Sequence, residues 1–270
     1  MLSRQRCPTR RAEAGLPNGF RKSDRQRRWR SASIRPSDRS PLTLRRVTSI
    51  KPGAELAARA AITARTEALF RSSGALRDGH FRLKSGRHSG AYLEKFAVLS
   101  DPAATSELCG FWAGRFRGAD GRPVVDLVAG PTTGGVILAF ETGRQLGTRA
   151  IFAEEVRGED GATSREFRRG FAIRPGERVL LVDDILTPGG SLLAMLPAVE
   201  AAGGEIVGCV VLVARSGGLA SLVSPSSRRV YPLEALWILD LETYEPGADT
   251  CPGCRAGEAL MRPGSSGAVG

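Results

Sequence analysis

Two adjacent carboxylates, Asp183 and Asp184, follow the apolar run Val179-Leu180-Leu181-Val182 and precede Ile185-Leu186-Thr187-Pro188-Gly189-Gly190-Ser191. An uninterrupted apolar run of this length suits a strand covered on both faces, which puts the acids at its carboxyl end. Open α/β sheets bind ligands at that end. A glycine turn entering a helix there offers backbone N–H groups and the positive end of the helix dipole to an anion. Phosphate is the expected guest of the turn. The two acids would repel it, so they must serve another part of the same ligand, such as sugar hydroxyls or a bound Mg²⁺. The segment lacks Gly-Lys-Ser/Thr and Gly-x-Gly-x-x-Gly, so it is neither a Walker A loop nor a dinucleotide turn.

A second concentration of chemistry lies upstream. Both histidines of the chain, His80 and His88, fall within nine residues alongside Arg82, Lys84 and Arg87, and Lys95 follows. Only four lysines occur, so two in one short segment suggest half of a pocket for an anionic pyrophosphate or carboxylate. The plainer alternative is a solvated strand pair. Five cysteines are present: Cys7, Cys109, Cys209, Cys251 and Cys254. The odd number, and the apolar settings of Cys109 and Cys209, point to a reducing compartment. Cys251-Pro-Gly-Cys254 has the spacing of half a zinc site, but four ligands are needed and both histidines are far away in sequence. The expectation is therefore a plain thiol pair, with a metal shared by two pairs across a dimer as the alternative.

The elements that must hold these groups alternate. Ala54 to Leu76 reads as an Ala-rich helix, Asp78 to Gly86 and the stretch from Ala91 as short strands, and Pro102 to Phe116 as a helix capped by Asp101. Val124–Ala129 and Ala150–Ala153 then read as strands around a helix from Gly135 to Leu146. Val179–Asp183 and Ile206–Val213 flank a second helix from Ser191 to Ala202. Such βαβ units imply an open α/β structure, a mainly parallel twisted sheet flanked by helices. Glu154–Arg169, polar and glycine-bearing, reads as an irregular mobile lid.

Charge divides the chain in two. Residues 1–51 hold 15 Lys and Arg against three acids, a balance of +12, and the remaining residues sum to −1. The net +11 therefore describes an arm, which is Arg- and Ser-rich and lacks periodicity, so it is expected to be disordered. A dispensable extension, a nucleic-acid or partner tail, and a targeting segment are its three readings. Any nucleic-acid partner would have to bind through that arm. Apolar runs such as Val210–Ala214 fall far short of the roughly 18 residues of a membrane helix, so no membrane partner is expected. The expected organisation is an arm over 1–50 and a domain over 54–265. That domain comprises a small N-terminal hood (54–100), a core (102–245) and a tail (246–270) carrying the two cysteines.

Four apolar residues, two acids, two apolar residues and Thr-x-Gly-Gly-Ser resemble the phosphoribosyl pyrophosphate signature of type I phosphoribosyltransferases. His80 to Ser89 with Tyr92 and Lys95, the loop Gly130-Pro131-Thr132-Thr133-Gly134-Gly135, and Leu212 to Gly218 with Arg215 are similar to segments of the orotate phosphoribosyltransferases. The resemblance spans about residues 55 to 265. It implies a cytoplasmic homodimeric transferase of pyrimidine biosynthesis. Such an enzyme moves ribose 5-phosphate from phosphoribosyl pyrophosphate to orotate, giving orotidine 5′-monophosphate and pyrophosphate with Mg²⁺ as cofactor. It further implies that Asp183 and Asp184 hold ribose hydroxyls and the metal, and that Thr187, Gly189, Gly190 and Ser191 hold the 5-phosphate. Thr132, Thr133 and Gly134 would face pyrophosphate, Arg215 the orotate carboxylate, and Lys84, His88 and Lys95 the substrates. Family members carry lysines and a histidine in the lid. Here the lid has neither, so Arg157 is the candidate catalytic cation, with Arg165 as a second, reaching a neighbouring subunit. Gly134 stands where some members have lysine, and Ala214 replaces the acid often found before the arginine. Two alternatives remain: a phosphoribosyltransferase for another base, and a non-catalytic phosphoribosyl pyrophosphate sensor that binds nucleic acid through its arm.

Overall fold

In the computed structural model the described residues are 52–83, 85–159, 161, 163–186, 190–215 and 217–263. The basic arm, Lys84, and the turn residues Thr187 and Gly189 lie outside the described residues. So does Pro188.

The central strand β6 (Arg178–Leu186) owes its position to its side chains. Val179 and Leu181 face one apolar cluster with Met195, Leu196 and Val199, while Leu180 and Val182 face another with Leu108, Trp112 and Leu138. All four are fully buried, as a strand covered on both faces requires. Around it lies a seven-stranded sheet built from β3 (Leu127–Pro131), β4 (Arg149–Arg157), β5 (Thr163–Glu166), β7 (Glu205–Ala214), β8 (Ser221–Val223) and β9 (Val230–Ile238). The order is β5-β4-β3-β6-β7-β9-β8. The five inner strands are parallel and the two edge strands antiparallel, so the expected mainly parallel sheet is observed.

The crossover helices α4 (Gly134–Leu146) and α5 (Ser191–Ala201) connect parallel strands, as the βαβ reading required. α1 (Pro52–Ser72) packs beside β9. Thr63 donates to the Leu236 carbonyl at 2.9 Å, and Phe70 meets Trp237 edge-on. α3 (Pro102–Ala113) begins where the sequence indicates: Asp101 Oδ1 accepts from the Ala103 and Ala104 N–H groups at 2.9 and 3.2 Å. A smaller three-stranded sheet forms the hood, with β1 (Leu76–Arg82) between β2 (His88–Leu93) and the C-terminal β10 (Leu260–Met261). A one-turn helix, α2 (Lys95–Leu99), follows β2 and leads toward the core.

The stretch Glu154–Arg169 differs from its expected irregular form. It is mostly a β-hairpin, because β4 runs on to Arg157 and β5 pairs back against it, with Glu155 opposite Arg165 and Arg157 opposite Thr163. The glycines that suggested irregularity make the reversal instead: Gly161 has a left-handed φ of 78°, and its N–H bonds the Gly158 carbonyl. Three of the acids there pair within the chain, Glu154 with Arg169, Glu155 with Arg165 and Glu166 with Arg168. The strand expected over Val124–Ala129 starts at Leu127. Its first residues instead pack back on the turn after α3, where Val124 N–H bonds the Phe116 carbonyl. Among the described residues no helix is long and apolar enough to cross a membrane.

Asp101 satisfies two otherwise unpaired amides of α3. Asp101→Ala should therefore lower unfolding stability by about 1 kcal/mol, read as a shifted urea midpoint with an unchanged slope.

Candidate active site

Asp183 and Asp184 sit at the carboxyl end of β6 and are both almost fully buried. Burying adjacent carboxylates is costly, and the local bonds show how they are held. Asp183 Oδ1 accepts from the Asp184 N–H at 2.8 Å, and its Oδ2 accepts from the Ser191 hydroxyl at 2.5 Å. That second bond ties the first residue of α5 to the end of the strand. Asp184 Oδ1 accepts from the Ile185 N–H at 2.6 Å and from Lys95 Nζ at 2.9 Å. Its Oδ2, 2.8 Å from the same ammonium, feels that charge but accepts no hydrogen bond of its own. Burial first, then the neighbouring Asp184 charge, pushes the Asp183 carboxyl well above the usual carboxylate range.

The loop after β3 closes on the same place. A Cβ on Gly134 would lie 1.8 Å from Asp184 Oδ2, so the carboxylate and the start of α4 touch only because residue 134 has no side chain. Glycine at this position is thus a steric requirement of the acid. Gly130 and Gly135 are equally confined, since a Cβ on Gly130 would meet the Gly135 carbonyl oxygen at 2.2 Å. Thr132 and Thr133, joined by a cis peptide bond, occupy the tip, and the Thr132 N–H bonds the Ala153 carbonyl. Arg165 reaches this loop from β5. Its Nη1 donates to the Thr132 hydroxyl at 3.2 Å, its Nη2 pairs with Glu155 at 3.1 Å, and its side chain is largely buried.

The strand ends thus gather Asp183, Asp184, Lys95, Gly134 and Ser191 in direct contact, with Thr132, Thr133 and Gly190 on the flanking turns. Arg215 begins the loop after β7, half-buried, and its N–H bonds the Leu186 carbonyl beside the acid pair. Burial first, then the Glu94 charge, raises the Tyr92 phenol of the hood, and the Arg215 charge opposes that rise. Arg157 is exposed at the end of β4, next to the hairpin turn. Arg165 is committed within its own chain to Thr132 and Glu155, in contrast to its expected reach into a neighbour. His88 is turned away from the acids: it is buried against His80, 2.9 Å between ring nitrogens, and against Cys254. The cationic cluster read in the sequence is therefore split. The hood strands bury both histidines, each next to a second buried residue, against the C-terminal segment, and Lys95, beyond β2, reaches the carboxylates. The Arg165–Thr132 contact was absent from the sequence reading, because it depends on β5 pairing back along β4, in a stretch whose composition suggested an irregular segment.

The chain was compared with known proteins. Residues 99–224 match the phosphoribosyl transferase domain. The orotate phosphoribosyltransferase of Desulforamulus reducens is 41% identical over 197 residues, 73% of this chain and 94% of that protein. That of Pelotomaculum thermopropionicum is 42% identical over 198 residues, 73% of this chain and 95% of that protein. In fold the chain is similar to the crystal structure of orotate phosphoribosyltransferase from Aeropyrum pernix. The TM-score is 0.51 at 24% identity, covering 64% of this chain and 92% of that one.

Because folding raises the Asp183 carboxyl above its unfolded value, the native state holds the extra proton. The stability tied to that proton is full below the unfolded value of about 4 and is lost as pH rises through the folded value. Asp183→Asn keeps an oxygen for the Asp184 N–H and offers Ser191 an amide, without the buried charge. Its melting temperature should exceed that of the parent on the alkaline side and converge with it toward acid. The reverse order would contradict the assignment.

Proposed function

The chain belongs to the orotate phosphoribosyltransferase family of pentosyltransferases, and on that premise we propose that it transfers ribose 5-phosphate from phosphoribosyl pyrophosphate to a ring nitrogen of orotate, releasing pyrophosphate. The observation that carries this reading is the buried Asp183–Asp184 pair, bonded to Ser191 on one side and Lys95 on the other. Such a pair suits two ribose hydroxyls, each of which can donate to a carboxylate oxygen. As the bond at the anomeric carbon breaks, positive charge builds on the sugar, and fixed carboxylates close to it stabilise that charge more than they stabilise the bound substrate.

The other residues take roles around that centre. Gly190 and Ser191, with Thr187 and Gly189, form the turn that receives the 5-phosphate at the start of α5. The loop of Thr132, Thr133 and Gly134 receives pyrophosphate, with Arg165 supplying positive charge through Thr132. Arg215 holds the orotate carboxylate, a group that guanidinium can grip with two parallel hydrogen bonds. Lys84 joins the anion-binding side. Lys95 is held by Asp184 without substrate, and ribose hydroxyls arriving at that carboxylate would release its ammonium toward the pyrophosphate. Arg157, exposed beside the hairpin turn, is the residue that would reach a partner's site in a homodimer and act there as a catalytic cation.

The donor set fits Mg²⁺. Asp183 and Asp184 are hard oxygen ligands, and Asp184 Oδ2 is a buried carboxylate oxygen without a hydrogen bond. When bound there, Mg²⁺ would neutralise charge on the departing pyrophosphate.

The full chain with orotate, phosphoribosyl pyrophosphate and Mg²⁺ should release pyrophosphate in step with orotidine 5′-monophosphate, and chelation should stop both. Asp183→Asn combined with Asp184→Asn should lower kcat by about 10²-fold or more. No transfer to orotate, but transfer to adenine, would reassign the base. Gly134→Ala, whose methyl group must displace the Asp184 carboxylate, should lower kcat/KM by at least about tenfold and leave the unfolding free energy from urea titration within about 2 kcal/mol of the parent. Full activity in that variant would show that the Asp184 position is not needed.

A further inference from the structure

His80 and His88 of the hood meet Cys251 and Cys254 of the C-terminal segment across more than 160 intervening residues. The four ligand atoms lie within 4.8 Å of one another, and three of the residues are buried while Cys254 is half-buried. His80 Nε2 is 2.9 Å from His88 Nδ1, 3.3 Å from Cys251 Sγ and 3.6 Å from Cys254 Sγ. His88 Nδ1 is 3.2 Å from Cys254 Sγ. Around a zinc ion with ordinary bonds to sulfur and nitrogen, tetrahedral ligand atoms stand roughly 3.3 to 3.8 Å apart. Four of the six edges run from 2.9 to 3.6 Å, close to that range, and the longest does not exceed 4.8 Å. Among the described residues no other group of three or more such side chains converges in this way.

Hydrogen bonding alone accounts poorly for this crowding. His80 Nδ1 lies 3.1 Å from the Glu258 carbonyl, which can only accept, so the proton sits on Nδ1 and Nε2 carries a lone pair. One lone pair satisfies one donor, yet a ring nitrogen and two sulfurs press on it. A carbonyl that fixes the tautomer of a buried histidine is the usual outer partner of a metal ligand. The turn between the cysteines is also built around the ring, because a Cβ on Gly253 would meet His80 Cγ at 2.6 Å. Pro252 starts the single helical turn α6 (Pro252–Arg255) that brings both sulfurs to one side.

We propose that His80, His88, Cys251 and Cys254 bind one Zn²⁺ per chain in a closed tetrahedral site that fastens the C-terminal segment to the hood. Two imidazoles and two thiolates with no carboxylate select zinc over the hard cations, and four protein ligands leave no open position for catalysis. The role is structural. His80 lies on β1 in register with Leu260 of β10, and the His88 backbone exchanges two 2.8 Å hydrogen bonds with Tyr244. A cation at this point would lock these contacts and, through β2, the segment that presents Lys95. The site stands whether or not orotate is the base transferred.

The test is the metal content of the full chain purified without chelating resin, followed by replacement of the metal with Co²⁺. The expected result is one equivalent of zinc, and a Co²⁺ form with the intense visible bands and near-ultraviolet thiolate charge transfer of a tetrahedral sulfur-bearing site. Cys251→Ser with Cys254→Ser should lose the zinc and the charge-transfer band together. Three results would overturn the proposal: wild-type protein well below one equivalent that gains no tetrahedral Co²⁺ spectrum, a disulfide between Cys251 and Cys254 in the freshly purified chain, or the same zinc content in the double variant.

Discussion

Two negative side chains placed side by side in the interior of a sheet would ordinarily unfold it or lose a charge. Here Asp183 and Asp184 are held by four donors from three places in the chain: the adjacent Asp184 and Ile185 amides of β6 itself, the Ser191 hydroxyl at the start of α5, and the Lys95 ammonium from beyond the hood. Each contact also fixes a neighbour's position. Ser191 ties the start of α5 to β6, Lys95 links the segment after the hood to the sheet, and the space taken by Asp184 dictates a residue without a side chain at 134. The rest of the site is organised by the need to tolerate this pair, which is why its electrostatics are poised for an incoming ligand.

That poise explains the chemistry assigned to the fold. A carboxyl held above its normal range by burial becomes a better acceptor once a ligand brings hydroxyls and positive charge to it, so binding and ionisation are coupled. The stretch Glu154–Arg169 contains no lysine or histidine, and its hairpin places Arg165 against Thr132. Three acids of this stretch, Glu154, Glu155 and Glu166, are matched to arginines of the same stretch. Their field at the site is correspondingly reduced.

The carboxylate strand was legible because its signal is local: four apolar residues, two acids and a glycine turn carry both the burial pattern and the chemistry. α3 was legible from Asp101 and Pro102 for the same reason. The hairpin of Glu154–Arg169 was not, because β5 is an edge strand whose pairing comes from β4 rather than from its own composition. The antiparallel β8 and the two-residue β10 were invisible on similar grounds. The cationic cluster was visible as a cluster, but its division between two places depends on which residues of β1 and β2 face inward. That division separates His88 from Lys95, and only the contacts between the hood and the C-terminal segment settle it.

Burial and the adjacent Asp184 charge hold the Asp183 carboxyl above the usual carboxylate range, so under the proposed function the arrival of phosphoribosyl pyrophosphate with Mg²⁺ should expel a proton from it. Calorimetric titration of the full chain with that ligand, in buffers of different ionisation enthalpy at mildly acidic pH, measures the protons exchanged on binding. The account predicts net proton release that disappears in Asp183→Asn. Binding with no proton release, or with the same release in the variant, would contradict it.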